Sequence, residues 1–266
     1  MDVNISSVAR NNLATDFINQ IDSDAQLFDH IYPNNCPQCN SLYYCIDGVR
    51  NLSQENTAYN FKLLNFNVRS FCANIDQLEG LLEASDVSFQ TVILSESWIN
   101  ERNADMCELE GYTAYHQMRS EQLGGGVSVY CKSGISSEMV ASMCVCNEEI
   151  ETCTVKMETN GLTLLILGIY RPGGNIENFI SQQENLLRDP ICQNMTHIIV
   201  AGDFNIDIMT PELPNTLNFT NSMRSLQFLP AITRPTRFSN TEHSNSATCI
   251  DHIWTNSLST FTSGII

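Results

Sequence analysis

Positive charge is scarce in this chain: 13 Lys and Arg stand against 30 Asp and Glu, a formal net charge of -17 over 266 residues. Nucleic-acid surfaces are ordinarily built from a basic face, so this total argues against DNA or RNA binding driven by bulk electrostatics. Long hydrophobic runs are missing too. No apolar stretch reaches spanning length, and the first twenty residues, with Asp2, Arg10 and Asp16 among polar neighbours, lack the apolar segment of a secretory leader. These absences lead to the expectation of an intracellular chain, in nucleus or cytoplasm, with no membrane partner, in which the sequons Asn51-Leu52-Ser53 and Asn194-Met195-Thr196 are chance matches. No internal repeat is visible. The eleven cysteines form no disulfide framework, because Cys72, Cys131, Cys153, Cys192 and Cys249 are scattered through apparent element interiors and read as reduced thiols. Cys36 and Cys39 in Cys36-Pro37-Gln38-Cys39, with Cys45, supply three thiols, and a zinc knuckle would need His30 as its fourth ligand.

What is present is a set of apolar runs that end in chemistry. His197-Ile198-Ile199-Val200-Ala201 leads into Gly202-Asp203-Phe204-Asn205, so a carboxylate and an amide emerge where a buried strand reaches the rim of its sheet. Asp203 offers anionic oxygen; Asn205, two residues on and on the same side, can orient a phosphate without adding negative charge. Phe61 through Asn67 ends on an amide, Thr91 through Glu96 on a carboxylate, and Thr163 through Tyr170 on a phenol followed by Arg171-Pro172. Ala247 through Trp254 reads as one strand holding Asp251. Packing does not require a polar group at a strand's end, whereas a hard cation or a phosphate does. Gly124-Gly125-Gly126 is not a nucleotide loop, because it lacks the Lys-Ser/Thr ending and runs into the strand Val127-Ser128-Val129-Tyr130; a hairpin entry is expected. Asp251 and His252 are adjacent in an extended segment and therefore point to opposite faces, which excludes a dyad.

The order of these motifs resembles the endonuclease/exonuclease/phosphatase superfamily. The resemblance rests on Asn67 in Leu-Asn-Phe-Asn-Val-Arg-Ser, Glu96 in Leu-Ser-Glu-Ser-Trp, the glycine triplet, Gly168-Ile169-Tyr170-Arg171-Pro172, Ala201 through Asn205, and Ile250 through Trp254. Within that superfamily the wording, with Pro235-Thr236-Arg237, is most similar to the endonuclease domains of non-LTR, jockey-like retrotransposons. The resemblance implies an α/β fold: a two-sheet α/β sandwich of the deoxyribonuclease I type, flanked by helices, with its site where the loops of both sheets converge. It implies Mg²⁺, or Mn²⁺, held by Glu96 and Asn67. Asp203 would orient or deprotonate water, Asn205 and Tyr170 would stabilise the pentavalent phosphorus, and Asp251 would orient a histidine. Asn65, on the strand face of Asn67, is a lesser candidate ligand. Arg69, Arg119, Arg171, Arg234 and Arg237 lie in or beside the rim loops and are the candidate substrate contacts, giving weak, salt-sensitive DNA binding.

With 42% hydrophobic residues the chain buries one substantial core, and the expected division is a helical or partly disordered extension over 1–59 and a catalytic domain over 60–266. A helix is expected over Ser7 to Phe28. Others should follow Asn74, with Gln77 completing a capping box, follow Asn175, and span Leu213 to Leu226. Enzymes of this kind carry a last strand with a Ser-Asp-His motif, and Ser263-Gly264-Ile265-Ile266 reads as the approach to it. The expectation is a domain without its final strand, with an open sheet edge, little nicking activity, and a reverse transcriptase downstream in an intact element. Two alternatives stay open: a phosphoesterase on small molecules, which the acidic surface suits, and a non-catalytic binding module.

Overall fold

The computed structural model describes residues 41–55, 61–119, 124–241, 244–257 and 262–266. The expected helix over Ser7 to Phe28 and the possible zinc ligands His30, Cys36 and Cys39 lie outside them. In chain order the elements are β1 (Ser41–Tyr43), α1 (Ile46–Glu55), β2 (Leu63–Asn67), α2 (Phe71–Ser85), β3 (Thr91–Ser95), β4 (Tyr112–Gln117), β5 (Val127–Lys132) and β6 (Ser136–Met139). There follow β7 (Val145–Cys146), β8 (Glu151–Thr159), β9 (Leu162–Tyr170), α3 (Ile176–Leu187), α4 (Pro190–Gln193), β10 (His197–Asp203) and α5 (Pro214–Ser225). The last are β11 (Leu229–Pro230), β12 (Arg237–Thr241), β13 (Ser244–Thr248), β14 (Asp251–Thr255) and β15 (Ser263–Ile265).

Two sheets pack face to face. One runs β2-β3-β5-β4 and the other β11-β14-β10-β9-β8-β6, with β7 also on β8. Strand alternation explains why the central strands are apolar throughout. In β3, Val92 and Leu94 face α2 and join the core of Leu78 and Leu81, while Ile93 faces the other sheet. In β9, Leu165, Leu167 and Ile169 face α3 and α5, whereas Leu164 and Ile166 point into the space between the sheets. Both faces of each sheet are thus covered, which requires near-continuous hydrophobic strands. Gly168 lets the sheets approach, since a Cβ there would come within 2.8 Å of Val127 Cγ1.

Several local features differ from the sequence reading. The run Ala247 through Trp254 is broken at Cys249-Ile250: β13 folds back on β12, and β14 turns away to pair antiparallel with β10. Helix α2 begins at Phe71, ahead of the expected cap at Asn74, whose amide donates to Val68 O at 2.8 Å and Arg69 O at 3.1 Å instead of capping. Helix α3 does start after Asn175, whose side chain accepts from the N–H groups of Glu177 and Asn178. The described part of the expected extension is folded in: Ile46 and Val49 of α1 share the core of Leu64 and Phe71, and β1 pairs in parallel with β15. Strand β2 has one strand neighbour, β3, among the described residues. Its other edge borders a cavity of about 980 Å³ whose lining runs from Phe66, Ile253 and Ile265 to Asp203 and Asp251. No helix among the described residues is long and apolar enough to cross a membrane.

Candidate active site

Register brings the polar strand ends into two facing rows. Across one sheet, Glu151 stands opposite Tyr170, Tyr170 opposite Asp203, and Asp203 opposite Asp251. Across the other, Asn67 stands opposite Ser95, the residue before Glu96. Each row is a consequence of strands that terminate together, so residues far apart in sequence share one rim. Gly202 makes the approach of β10 to β9 possible: its φ of 152° and the overlap of any Cβ with Ile169 O admit only glycine one residue before Asp203.

The rows meet at Asn67. Its Nδ2 donates to Glu96 Oε1 at 2.9 Å and to Asp203 Oδ2 at 2.7 Å, so one amide spans two carboxylates from different sheets. Asp203 is 1% exposed and also accepts the Asn205 N–H at 3.0 Å. Burial raises its pKa above the ordinary carboxylate value and the charge of Glu96 pushes the same way, while the bonds from Asn205 and Asn67 oppose them. Burial likewise pushes the Tyr170 phenol up to about 12, with Glu96 and Asp203 adding to the effect. That phenol is a hydrogen-bond donor at neutral pH. Asp251 is raised to about 7, first by desolvation and then by Asp203; Thr236 Oγ1 donates to its Oδ2 at 3.0 Å, and its Oδ1 is buried without a partner. His252 faces away, as alternation requires: it stacks on Phe204 at 4.7 Å and its Nε2 donates to Cys249 O at 2.9 Å.

The sequence profile of the Endonuclease/Exonuclease/phosphatase family matches residues 64–265, a span that contains both rows. The chain belongs to that family. Solved structures agree on the fold. The endonuclease domain of TRAS1, a telomere-specific non-LTR retrotransposon, aligns with a TM-score of 0.54 at 12% identity, covering 73% of this chain and 84% of that one. The catalytic domain of Xenopus laevis APE2 gives 0.56 at 17% identity over 74% and 82% of the two chains. The Neisseria 3' phosphatase NExo bound to product DNA hairpin gives 0.54 at 16% identity over 73% and 86%. A search of curated proteins finds no match. Members of the endonuclease/exonuclease/phosphatase family are hydrolytic nucleases and phosphatases, and the deoxyribonuclease I-like sandwich seen here is their fold.

Against that family frame, the arginines expected at the rim divide. Arg237 is exposed beside the carboxylates and its charge lowers the pKa of both Asp203 and Asp251. Arg69 is exposed next to Asn67, with its backbone N–H 3.3 Å from Asn67 Oδ1. Arg171 instead ties loops together, donating to Asn205 O and Gly174 O and lying 5.8 Å from the centre of the Phe179 ring. Arg234 is no surface contact at all. It is 2% exposed, its guanidinium lies 4.2 Å over the Tyr43 ring, and its Nη1 donates to Ser41 O at 3.2 Å, so it anchors β1. Asn205 spends one amide hydrogen on Arg171 O at 2.7 Å, leaving its other N–H for a ligand. Asn65 lines the same cavity as Asn67, Asp203 and Asp251, and its Oδ1 is buried with no hydrogen-bond partner among the described residues.

One buried group escaped the sequence reading. Glu151 is fully buried, forms an ion pair with Arg119 Nε, and accepts the Gly126 N–H at 2.5 Å. Its signal was a single acidic residue opening an otherwise uncharged run, Glu151-Thr152-Cys153-Thr154-Val155. The glycine triplet is therefore more than a hairpin entry, since it is anchored from below by a carboxylate. All three glycines have positive φ, between 71° and 87°.

Proposed function

We propose that this chain is a Mg²⁺-dependent phosphodiesterase of the retrotransposon-endonuclease type that nicks DNA weakly, Mn²⁺ being an alternative ion. The carrying observation is the Asn67 amide shared by Glu96 and Asp203, flanked in register by Tyr170 and Asp251. Its donor set suits Mg²⁺. No group of three or more His, Cys, Asp or Glu side chains able to hold a metal occurs among the described residues, but Mg²⁺ commonly takes one or two carboxylates and fills its shell with water and substrate oxygen. Glu96 and Asn67 supply hard oxygen, and the mutual repulsion of Glu96 and Asp203 marks a place short of positive charge. When bound there, the ion supplies Lewis acidity to a phosphate oxygen.

The remaining chemistry belongs to the chain. Asp203, buried and oriented by two hydrogen bonds, accepts the proton of an attacking water. The protonated Tyr170 phenol and the second amide N–H of Asn205 donate to phosphate oxygens as negative charge develops on them. As the P–O bond to the leaving oxygen breaks, Asp251, raised to about 7, is the chain's group able to hand that oxygen a proton. DNA complexes among solved relatives, the NExo product hairpin and the zebrafish TDP2 single-strand product, favour DNA as substrate. A reverse transcriptase belongs to the same reading as the partner domain of an intact element. The net charge of -17 supports a second reading, hydrolysis of a small phosphorylated molecule at the same site.

The test is conversion of supercoiled plasmid to open circle over a Mg²⁺ titration, run beside phosphate release from nucleotides and inositol phosphates. Slow nicking, abolished by EDTA, by Glu96→Ala and by Asp203→Ala, is expected. Phosphate release from the small molecules alone would favour the second reading. DNA retention without turnover at any Mg²⁺ or Mn²⁺ concentration would leave only a binding module.

A further inference from the structure

Of the two tryptophans in the chain, Trp254 is 1% exposed and belongs to the core, whereas Trp98 is 44% exposed two residues after Glu96. Trp98 has a φ of 56°, a left-handed backbone that bulky side chains rarely adopt. Strain of this kind persists only where surrounding contacts over-determine it. Those contacts are present. The Trp98 N–H donates to Gly125 O at 2.9 Å, Asn103 Nδ2 donates to its carbonyl at 3.4 Å, and the preceding Ser97 N–H donates to Gly126 O at 3.2 Å. On the far side, the Phe71 N–H at the start of α2 donates to Ser97 O at 2.9 Å.

The glycine triplet forms the floor beneath this mount. A Cβ on Gly124 would lie 3.7 Å from the indole Nε1, and the space over Gly125 is filled by the Arg119 guanidinium. Arg119 spends its Nε on Glu151, and no hydrogen bond among the described residues takes its two terminal nitrogens. An isolated exposed hydrophobe needs no explanation. An indole 44% exposed on a backbone pinned in a strained conformation, over Gly124 while the Arg119 guanidinium lies over the adjoining Gly125, and two residues from a site carboxylate, is a platform for an aromatic ring next to a phosphate.

We propose that Trp98 stacks on a nucleobase drawn out of the helix beside the scissile phosphate, with Arg119 on the adjoining phosphate; this rests on the reading of the substrate as DNA. Aromatic faces bind bases of any sequence, and the contact gains most where a base is already unpaired. The preferred substrate is then DNA with a bulged, mismatched or single-stranded base at the cut.

The probe is an oligothymidylate titrated at low salt in EDTA, followed by tryptophan emission. Wild type should show saturable quenching, because Trp98 is open to the base and Trp254 is not. Trp98→Phe should lose the quenching but bind within about threefold, and Trp98→Ala should bind roughly tenfold more weakly. In Mg²⁺, wild type should nick a one-base bulge faster than paired duplex, and Trp98→Ala should lose that preference through KM. Equal oligonucleotide affinity of wild type and a folded Trp98→Ala, or quenching that survives in Trp98→Phe, overturns the proposal. If Trp98→Ala does not fold, the wild-type and Trp98→Phe titrations still decide it. Quenching with the expected affinities but no nicking would sink the catalytic reading and leave the stacking platform standing. Robust nicking with no bulge preference would do the reverse.

Discussion

Asn67 and Asp203 lie 136 positions apart and share a 2.7 Å hydrogen bond between strands of different sheets. Because the same Nδ2 reaches Glu96, the amide holds two carboxylates at one point. Asn67→Ala should lower the nicking rate by about 10²- to 10³-fold, the usual loss for one fixed donor in a preorganised site. Its melting temperature should stay within a few degrees of wild type. Wild-type nicking rates in a folded Asn67→Ala protein would show that this amide does not organise the site.

Glu151 is a fully buried carboxylate whose pKa burial raises, with the Gly126 N–H and Arg119 opposing the shift. In Arg119→Ala the charge would lose its cation, at a cost of about 3 kcal/mol when ionised. A raised folded pKa means that the fold prefers the neutral acid, so the cost grows as pH rises through that pKa and shrinks on acidification. Urea unfolding at pH 8 and at pH 5 should therefore separate the variant from wild type more at pH 8. An equal gap at both values would assign Arg119 to packing instead of charge.

Gly202→Ala should destabilise by more than about 4 kcal/mol or prevent folding, since its Cβ would overlap Ile169 O directly beneath Asp203. Gly134 is the control. It also has positive φ, 87°, but nothing lies within 4 Å of an added Cβ, so Gly134→Ala should cost only about 1–2 kcal/mol of backbone strain. Similar midpoints for the two variants in denaturant would refute the close-approach argument.

His252 is buried and stays neutral, its pKa lowered to about 4 from an ordinary 6.5 by desolvation. The unfolded chain therefore binds the proton first, and stability contributed by the neutral imidazole is lost as pH falls from about 6.5 toward 4. Over that window the loss should approach about 3 kcal/mol. His252→Phe, which keeps an aromatic ring against Phe204, should flatten the stability profile between pH 7 and 4. A variant profile parallel to wild type would assign the acid sensitivity elsewhere.

Arg237 and Arg234 differ by three positions and should differ in kind. Removing exposed Arg237 should weaken DNA binding and reduce the slope of log affinity against log salt by about 1. Arg234→Ala should instead lower stability, because that guanidinium is buried on the Tyr43 ring, and should leave the salt slope of the surviving folded protein unchanged. A salt slope altered by Arg234→Ala would place that residue at the DNA after all.

The strand ends were legible in the sequence because near-continuous apolar runs that stop on Asn67, Glu96, Tyr170 and Asp203 carry both the fold and the candidate chemistry in local order. Alternation alone placed Asp251 and His252 on opposite faces. Tertiary structure decided what local order does not encode: which strand ends share a row, which arginine is buried, and what lies beneath the glycines. Arg234 reads like Arg237 until β1, nearly two hundred residues earlier in the chain, brings Tyr43 beneath it. The run around Asp251 looks continuous until β10 and β12 compete for its two halves. Glu151 is one acid among thirty until burial makes it the partner of Arg119 and Gly126. Burial and long-range pairing are properties of the packed chain, so a carboxylate's ionisation or an arginine's reach is fixed only once both sheets have closed on each other.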